Sequence, residues 1–416
     1  MEIKRESYLE KLIKRRENGM TKVITGIRRC GKSYLLFKIF YRYLLMQGVD
    51  EQHIIRIALD DIANKKLRDA LTLYEYIKQQ IIDAEVYYIF LDEIQYVENF
   101  SDLINGLNHL DNTDVYVTGS NSRFLSTDIL TEFRGRGDEI RVYPLSFAEF
   151  VSVYGGSLSA AWKDYYTYGG MPELCRLPDE EMKADYLRNL LQKVYLSDIL
   201  EHNKIKNDSD LESLVNIIAS AIGSLTNPHK LANSFKSMVQ SSITDKTVKR
   251  YLDFLQEAFL VEKAMRYNIK GRKYIETTSK YYFCDVGLRN ARLNFRQQEE
   301  NHIMENIIYN ELRIRGFSVD VGVVEVWDTK DGKKQHKQLE IDFIANKGSQ
   351  RYYIQSAFEM SNHEKEAQET RSLENLDDSF KKFIILKDDI KSKRNEKGII
   401  TMGIFDFLLQ ADSLLY

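Results

Sequence analysis

The sequence has little proline, little cysteine and no long hydrophobic run, and each shortage excludes a class of protein. Four prolines among 416 residues exclude long proline-rich linkers. Three cysteines, Cys30, Cys175 and Cys284, lie too far apart to form a disulfide framework or a zinc knuckle. No segment reaches the ~18 consecutive apolar residues of a membrane span. We therefore expect a cytoplasmic protein that has no membrane partner.

An excess of charge of one sign is also missing. The 59 Lys and Arg residues and 62 Asp and Glu residues give a formal net charge of −3, which excludes a strongly basic nucleic-acid coat and an acidic tail protein. A local basic face is still compatible with this balance. Apolar residues make up 43% of the chain, enough for packed cores, and the length predicts two to four domains of ~100–200 residues each.

Short apolar runs alternate with helical patterns through the first 150 residues. This alternation predicts an α/β fold, a parallel sheet with helices on both faces. The predicted strands are Lys22–Thr25, His53–Leu59, Val86–Leu91, Val115–Thr118 and Glu139–Tyr143. The predicted helices are Ser33–Met46, Leu71–Ala84 and Leu103–Leu110.

The pattern changes twice more along the chain. Residues 151–207 have helical patterns and are predicted to form a lid or linker. Residues 208–274 contain three helical patterns, followed by the runs Phe259–Ala264 and Tyr267–Tyr274, which predict a two-stranded wing. Residues 275–416 return to mixed α/β patterns, with hairpin-turn chemistry at Asp331-Gly332. We therefore predict four segments: an N-terminal α/β domain (1–150), the helical lid, a winged-helix domain and a C-terminal α/β domain.

The strongest motif is a complete G-x-x-x-x-G-K-[ST] between the first predicted strand and helix. Its glycines let successive backbone N–H groups point at phosphate oxygens, and the following helix adds its positive N-terminal end. Lys32 is expected to reach the β- and γ-phosphates, and Ser33 to ligate Mg²⁺. The predicted nucleotide-binding residues are Gly26, Ile27, Arg28, Arg29, Cys30, Gly31, Lys32, Ser33 and Tyr34.

Two adjacent carboxylates end the apolar strand that runs to Leu91. Asp92 is expected to hold Mg²⁺ and Glu93 to orient and deprotonate the attacking water. The alternative is that the strand simply ends in polar residues because loops are polar. The position about 60 residues after a phosphate loop favours the functional interpretation.

Two further segments contain candidate residues for the same site. After Val115–Thr118, either Ser120 or Asn121 can contact the γ-phosphate or the attacking water, unless this segment is only the N-cap of the next helix. Arg136 lies in the glycine-flanked string FRGRG, where a guanidinium can stabilise transition-state charge, in cis or from a neighbouring subunit of a homo-oligomer. The alternative there is a solvated basic loop.

The strings KVITGIRRCGKSYLL, FLDEIQ, VTGSNS, FRGRGDEIRVYPLSFAEF and YGGMPE together resemble the AAA+-type P-loop ATPases of bacteria and archaea that carry a characteristic C-terminal domain of unknown function. The resemblance extends over essentially the whole chain. It implies a RecA-like core, ATP as the ligand and a winged-helix segment. Lys32, Asp92, Glu93 and Arg136 occupy the positions of the family's phosphate-loop lysine, acidic pair and arginine.

The winged-helix segment has a local excess of positive charge. Residues 210–273 contain ten Lys and Arg against six Asp and Glu. The string SITDKTVKRYLD resembles the second helix of a helix-turn-helix, which can enter a DNA groove. Docking of a protein partner is the alternative. The candidate contacts are Lys246, Lys249, Arg250, Arg272 and Lys273.

The C-terminal domain resembles the restriction-endonuclease-like core, whose pattern is a helical Glu, a strand Asp and Glu/Gln-x-Lys. Glu305, Asp342 and Gln355 match the first three positions, but Ala357 stands where the lysine is required. That chemistry needs acids converging on Mg²⁺ and a lysine that activates water. We therefore expect an inherited fold used for binding or assembly, unless Lys347 or Arg351 replaces the lysine.

Two functional hypotheses follow. The first is an Mg²⁺-dependent ATPase whose turnover changes the conformation of the C-terminal domains. The second is a module with little turnover, in which bound ATP gates the binding of DNA or a protein. A DNA-processing nuclease is a further alternative.

Overall fold

The computed structural model describes residues 3–119, 137–205, 208–239, 243–330, 333–360 and 362–415. The chain divides into two compact units. Unit 1 comprises residues 1–145 and 257–259, and unit 2 comprises residues 146–256 and 260–416. Within the described ranges, no helix is both long enough and apolar enough to cross a membrane.

Unit 1 contains a five-stranded parallel sheet with the strand order β2-β3-β4-β1-β5. The parallel sheet predicted from the sequence is confirmed, and each predicted strand lies within about two residues of an observed one. β5 is an edge strand. The strands are β1 (Thr21–Thr25), β2 (Ile54–Ala58), β3 (Tyr87–Asp92), β4 (Thr113–Thr118) and β5 (Gly137–Arg141).

Helices cover this sheet, and β3 is buried along its whole length. A strand covered on both faces is apolar at consecutive positions, which explains the run YYIFL. The first helix was not predicted from the sequence, but it buries Tyr8 and Leu12, which lie four residues apart on one face. The helices are α1 (Glu6–Arg15), α2 (Lys32–Tyr34), a π-helical stretch Leu35–Phe40, α3 (Tyr41–Met46), α4 (Ala70–Gln80) and α5 (Phe100–Leu107). Short 3₁₀ turns are Glu51–His53, Ile62–Arg68 and Ile94–Tyr96.

Unit 2 begins with a run of helices and continues into a mixed α/β region. The helices are α6 (Phe147–Val151), α7 (Leu158–Tyr168), α8 (Glu180–Asn189), α9 (Ser197–His202), α10 (Asp208–Ser220), α11 (Pro228–Ser234), α12 (Asp245–Glu257), α13 (Val286–Arg292), α14 (Glu300–Ile314), α15 (His363–Glu374) and α16 (Ile404–Leu409). A 3₁₀ turn, Pro172–Arg176, and two π-helical stretches, Leu190–Leu196 and Phe235–Val239, lie between them.

The strands of unit 2 form one eight-stranded mixed sheet with the order β12-β13-β11-β10-β9-β8-β6-β7. They are β6 (Val261–Asn268), β7 (Lys273–Phe283), β8 (Ser318–Lys330), β9 (Lys333–Lys347), β10 (Gln350–Ala357), β11 (Lys381–Leu386), β12 (Lys393–Arg394) and β13 (Ile399–Gly403). Four of the elements of unit 2 were not predicted from the sequence: β12, β13, α13 and α16.

The predicted wing is a real hairpin, but its turn and its surroundings differ from the expectation. The turn lies at residues 269–272, so the predicted strand Tyr267–Tyr274 spans it. β6 also pairs in parallel with β8. The hairpin is therefore part of the C-terminal sheet, and the boundary predicted at residue 274 falls inside β7. This pairing joins residues more than 50 positions apart, which local periodicity does not reveal.

The YGGMP segment packs closely against the start of α13. Asp285 accepts hydrogen bonds from the N–H groups of Leu288 (3.1 Å) and Gly170 (2.7 Å). A Cβ on Gly287 would lie 1.8 Å from the carbonyl oxygen of Tyr168, so only glycine fits there. Burial raises the pKa of Asp285 to about 6.

Candidate active site

The phosphate loop joins β1 to α2, in the strand-to-helix context that the motif requires. Gly26 and Gly31 have φ values of 135° and 102°, which are disfavoured for other residues. A Cβ on Gly26 would lie 2.0 Å from the carbonyl oxygen of Val142. Arg29 also has a positive φ of 63°. The backbone of the loop therefore has the positive φ angles that its glycines predict.

Lys32 folds back over its own loop. Its Nζ donates hydrogen bonds to the carbonyl oxygens of Gly26 (2.9 Å) and Ile27 (3.2 Å), and the residue is only 4% exposed. Among the described residues, the partners of this ammonium group are neutral carbonyls, and no carboxylate balances its charge. This geometry leaves Lys32 suited to an anionic ligand at the loop.

The remaining loop residues differ in exposure. Ile27 and Cys30 are buried, and the thiol of Cys30 donates to the carbonyl oxygen of Val142 at 3.4 Å. Arg28 is half-buried, whereas Arg29 and Tyr34 are exposed.

Asp92 lies at the carboxyl end of β3, beside the start of α2. Its Oδ1 accepts a hydrogen bond of 3.0 Å from Ser33 Oγ and a second one from the hydroxyl of Thr118. Burial raises the pKa of the Asp92 carboxyl above its ordinary value, while the two hydroxyl donors oppose that rise. The predicted metal residues Ser33 and Asp92 are thus in direct contact.

Glu93 follows at the end of the same strand with a left-handed φ of 53°. This conformation is uncommon for a residue other than glycine and is often found at functional sites. Its backbone N–H donates to Thr118 Oγ1 at 3.0 Å, and its carboxylate accepts a hydrogen bond from the side-chain amide of Gln95.

Thr118 was not among the residues selected from the sequence, although it contacts both members of the acidic pair. The selected residues Ser120 and Asn121 follow it, and they lie outside the described residues, as does Arg136. The sequence feature that could have indicated Thr118 is its position as the threonine that ends the apolar string VYVT. β4 lies between β1 and β3, as expected for a strand that delivers a polar side chain to this site.

A hydroxyl and a carboxylate in contact form an oxygen donor set of the kind that Mg²⁺ prefers. Ser33 Oγ and Asp92 Oδ1 are such a pair, at the end of the sheet where the phosphate loop begins. Parallel α/β sheets bind ligands at the carboxyl ends of their strands. The residues present therefore fit a nucleotide with its magnesium ion.

Comparison with known proteins gives the family. Residues 18–151 match the model of an AAA domain, and residues 159–299 match a domain of unknown function (DUF8612). A protein of Haemophilus influenzae, itself named only as uncharacterized, is 34% identical over 98% of this chain and 99% of its own length. The chain belongs to the AAA+-type P-loop ATPase family. This membership supports the conclusion that the protein is a nucleotide-binding P-loop ATPase with a C-terminal domain of unknown function.

Two more distant similarities were found for this AAA-domain protein. An uncharacterized protein of Methanocaldococcus jannaschii is 28% identical over 83% of this chain and 76% of its own length. Among solved structures, the Aeropyrum pernix ORC1 protein in complex with DNA has a TM-score of 0.34 at 11% identity, covering 71% of this chain and 93% of that one.

The C-terminal sheet of the AAA-domain protein contains a second cluster of charged residues. Glu305, from α14, and Asp342, from β9, are both buried and lie around one cation. That cation is Lys280 of β7, whose Nζ is 2.8 Å from Glu305 Oε1, 2.8 Å from Glu340 Oε1 and 3.5 Å from Asp342 Oδ1. The hydroxyl of Tyr282 also donates to Glu305 Oε1 at 2.6 Å.

The three predicted nuclease-like residues are therefore neighbours. Gln355 Oε1 accepts a weak hydrogen bond of 3.4 Å from the backbone N–H of Asp342. Ala357 is buried in the core, and Lys347 instead donates to the carbonyl oxygen of Arg315 at 2.7 Å. Arg351 donates to Asn346 Oδ1 at 2.8 Å. Neither of these two candidate replacements is the cation that the acids contact.

Opposite charges in this cluster shift one another's pKa values. Burial opposes the charge of Lys280, yet Glu305, Asp342 and Glu340 raise its pKa above the ordinary value. Burial and the neighbouring Glu305 raise the pKa of Asp342 to about 7. Lys280 was missed in the sequence because it comes from a strand outside the motif. In the described part of the chain, no three His, Cys, Asp or Glu residues are arranged to hold a metal ion.

The predicted DNA-contacting residues are accessible in the AAA-domain protein. Lys246, Lys249 and Arg250 are exposed on α12, and Arg272 and Lys273 are exposed at the β6–β7 turn. Val248, Tyr251, Leu252 and Leu255 of α12 are buried, so this helix is amphipathic with its cations on the solvent side.

Proposed function

We propose that this protein binds and hydrolyses ATP with Mg²⁺ at the phosphate loop of unit 1. Gly26 to Ser33 bind the phosphates, with Lys32 supplying the positive charge, and Ser33 and Asp92 hold the metal ion. Bound Mg²⁺ would neutralise charge on the β- and γ-phosphates. The observation that carries the proposal is the 3.0 Å contact between Ser33 and Asp92, with Glu93 next in sequence.

Each of these residues has a separate task in the proposed reaction. Lys32 exchanges its loop carbonyls for phosphate oxygens, which are stronger partners because they are charged. Glu93 accepts the proton of the attacking water, and the hydrogen bond from its N–H to Thr118 fixes where its backbone lies. Asn121 and Arg136 remain predictions as the sensor of the γ-phosphate and the transition-state arginine.

Calorimetric titration with Mg·ATP tests the binding step. Lys32→Ala is expected to remove the heat of binding, whereas Lys38→Ala, an exposed lysine farther along the same helical segment, is the matched control and should bind normally. Far-UV circular dichroism of both variants checks that they are folded. Equal binding by wild-type protein and Lys32→Ala would contradict the proposed site.

We also propose that turnover changes the conformation of unit 2, which carries the domain of unknown function. The supporting observation is that one chain contains both the ATPase fold and an independently packed second unit. Hydrogen exchange of the wild-type protein and of the Glu93→Gln variant, each with and without Mg·ATP, tests this coupling. Exchange that changes in unit 1 alone would contradict it.

Nucleotide-gated DNA binding is the second candidate function, and the exposed cations of α12 support it. A gel-shift series with and without ATP, at several salt concentrations, distinguishes the two candidates. Binding that ignores both nucleotide and salt would exclude the DNA version, because contacts with phosphates release counterions and weaken as salt rises. A protein partner would then be the remaining form of this candidate.

We propose a structural role, rather than DNA cutting, for the acidic cluster of the C-terminal domain. Lys280 is ion-paired with the acids that a nuclease would use for Mg²⁺. We further propose that the protein acts in the reducing cytoplasm, which suits a chain with only three widely spaced cysteines.

A further inference from the structure

Two hairpin turns of the C-terminal sheet lie at the same end of that sheet. β6 and β8 are parallel neighbours, and Asn268 at the end of β6 pairs with Val323. Because parallel strands point the same way, the turn that follows β6 lies beside the outer part of β8. The N–H of Ile269 in that turn donates to the carbonyl oxygen of Val323 at 3.0 Å.

β8 and β9 continue past this point as a ribbon in which, among the described residues, the two strands pair only with each other. β6 contacts β8 no farther than Val323, and β10 pairs with β9 only at residues 343–347, in the described registers. Trp327 is four residues beyond Val323, or about 13 Å along the strand at 3.3 Å per residue. The inner part of this ribbon is anchored, because Val324 and Val326 are buried on the opposite face.

Trp327 is 72% exposed, and its ring meets the ring of His336 edge-on at 5.3 Å. It is one of only two tryptophans in the chain. The other, Trp162, is 6% exposed and donates its indole N–H to Glu300 at 3.0 Å. A large, uncovered aromatic ring on a projecting ribbon is unusual for a residue that normally packs in cores or interfaces.

Exposed cations accompany this ring. Lys270, Arg272 and Lys273 lie at the β6–β7 turn; all three are exposed, and none makes an ion pair with another described residue. The nearby Glu325 already accepts a hydrogen bond from Asn268 and contacts His336. The surface therefore combines free positive charge with an aromatic face.

We propose that this surface, formed by Trp327 and the turn 270–273, binds single-stranded nucleic acid. The cations attract the phosphate backbone, and an unpaired base stacks on the indole of Trp327. Stacking on an aromatic side chain tolerates any base, since every base has a π-face, so the binding is expected to show little sequence preference. Duplex DNA offers the phosphates but no free base face, and should bind more weakly.

Intrinsic fluorescence tests the stacking directly, because Trp162 is buried and Trp327 reports on the surface. Titration of the full-length protein with oligo(dT) at low salt should quench the tryptophan emission, and a duplex of equal length should quench it much less. Equal quenching by single strand and duplex, or no quenching, would overturn the proposal. Quenching by heparin to the same extent would also overturn it, because the site would then be a general polyanion surface.

Anisotropy of a labelled oligo(dT) measures the affinity independently of the tryptophan signal. Trp327→Ala should weaken binding roughly 5- to 150-fold, the range given by stacking of one base, whereas Trp327→Phe should retain most of the affinity. The double change Arg272→Ala with Lys273→Ala should lower the slope of log affinity against log salt by about 1.4.

Matched controls separate this surface from others. Lys65→Ala with Lys66→Ala removes the same charge from an exposed segment of unit 1. This variant should leave the affinity for oligo(dT) nearly unchanged, and a loss equal to that of the turn variant would refute the assignment. Lys32→Ala should bind oligo(dT) normally, so failure of the ATPase proposal is distinguishable from failure of this one.

Discussion

The hydroxyl of Ser33 donates a hydrogen bond of 3.0 Å to Oδ1 of Asp92, although the two residues lie 59 positions apart. The contact joins the first turn after the phosphate loop to the end of β3, and Thr118 donates to the same oxygen from β4. Burial raises the pKa of this carboxyl, and the hydrogen bonds from the two neutral hydroxyl groups partly offset that rise. Three separate segments therefore fix the position of one carboxylate oxygen.

Replacing Thr118 with valine should impair turnover more than nucleotide binding. The change removes a donor to the buried Asp92 and the acceptor of the Glu93 N–H, and a hydrogen bond to a charged group contributes ~1.5–3 kcal/mol. We expect phosphate release to fall roughly 10- to 100-fold. Thr118→Ser, which keeps the hydroxyl, is the control and should recover most of the activity. If valine and serine behave alike, Thr118 has no positioning role.

Removing the Lys280 ammonium should destabilise unit 2 strongly. Lys280→Met leaves Glu305, Glu340 and Asp342 without their shared cation, and breaking a buried ion pair from one side costs ~3–5 kcal/mol. Chemical denaturation measures the loss. The control Lys263→Met changes an exposed lysine of β6 and should cost little.

A second variant separates charge from packing in the same cluster. Lys280→Met combined with Glu305→Gln also removes one of the repelling charges, so it should be more stable than Lys280→Met alone. A double variant less stable than the single one would show that the cluster is held by packing instead.

Asp285 should make stability depend on pH between about 4 and 6. Burial raises its folded-state pKa to about 6, from an ordinary value near 4, so the folded form holds the proton more tightly than the unfolded form. Its contribution to stability is therefore present at low pH and is lost as pH rises through 6, by about 3 kcal/mol at most. Asp285→Asn cannot titrate, and its stability should change less over this window. A wild-type and variant difference that is constant from pH 4 to 7 would refute the shift.

The sequence was sufficient to predict the first sheet and its ligand site because both depend on short-range signals. The pattern from Gly26 to Ser33 specifies a loop whose glycines have positive φ, and the run to Asp92 predicts a strand that is buried on both faces. The contacts between residues of that site could also be predicted, because the carboxyl ends of neighbouring parallel strands lie at the same edge of the sheet.

Lys280 illustrates what the sequence could not reveal. It lies in a strand that the wing prediction ended too early, and it meets its acids only because β6 and β7 join the sheet formed by β8 to β13. That pairing depends on long-range packing, and no sequence motif indicates it. Thr118 was overlooked for a different reason: it is the first of several polar residues that follow one another from the end of β4, and spacing does not select among them.

The most direct test of the ATPase account is the rate of phosphate release from Mg·ATP by wild-type protein and by Glu93→Gln, measured together with ATP binding. The account predicts turnover by the wild type, a fall of at least about 100-fold in the variant, and ATP binding that the variant retains. Equal phosphate release by the two proteins, or no turnover by the wild type, would contradict it.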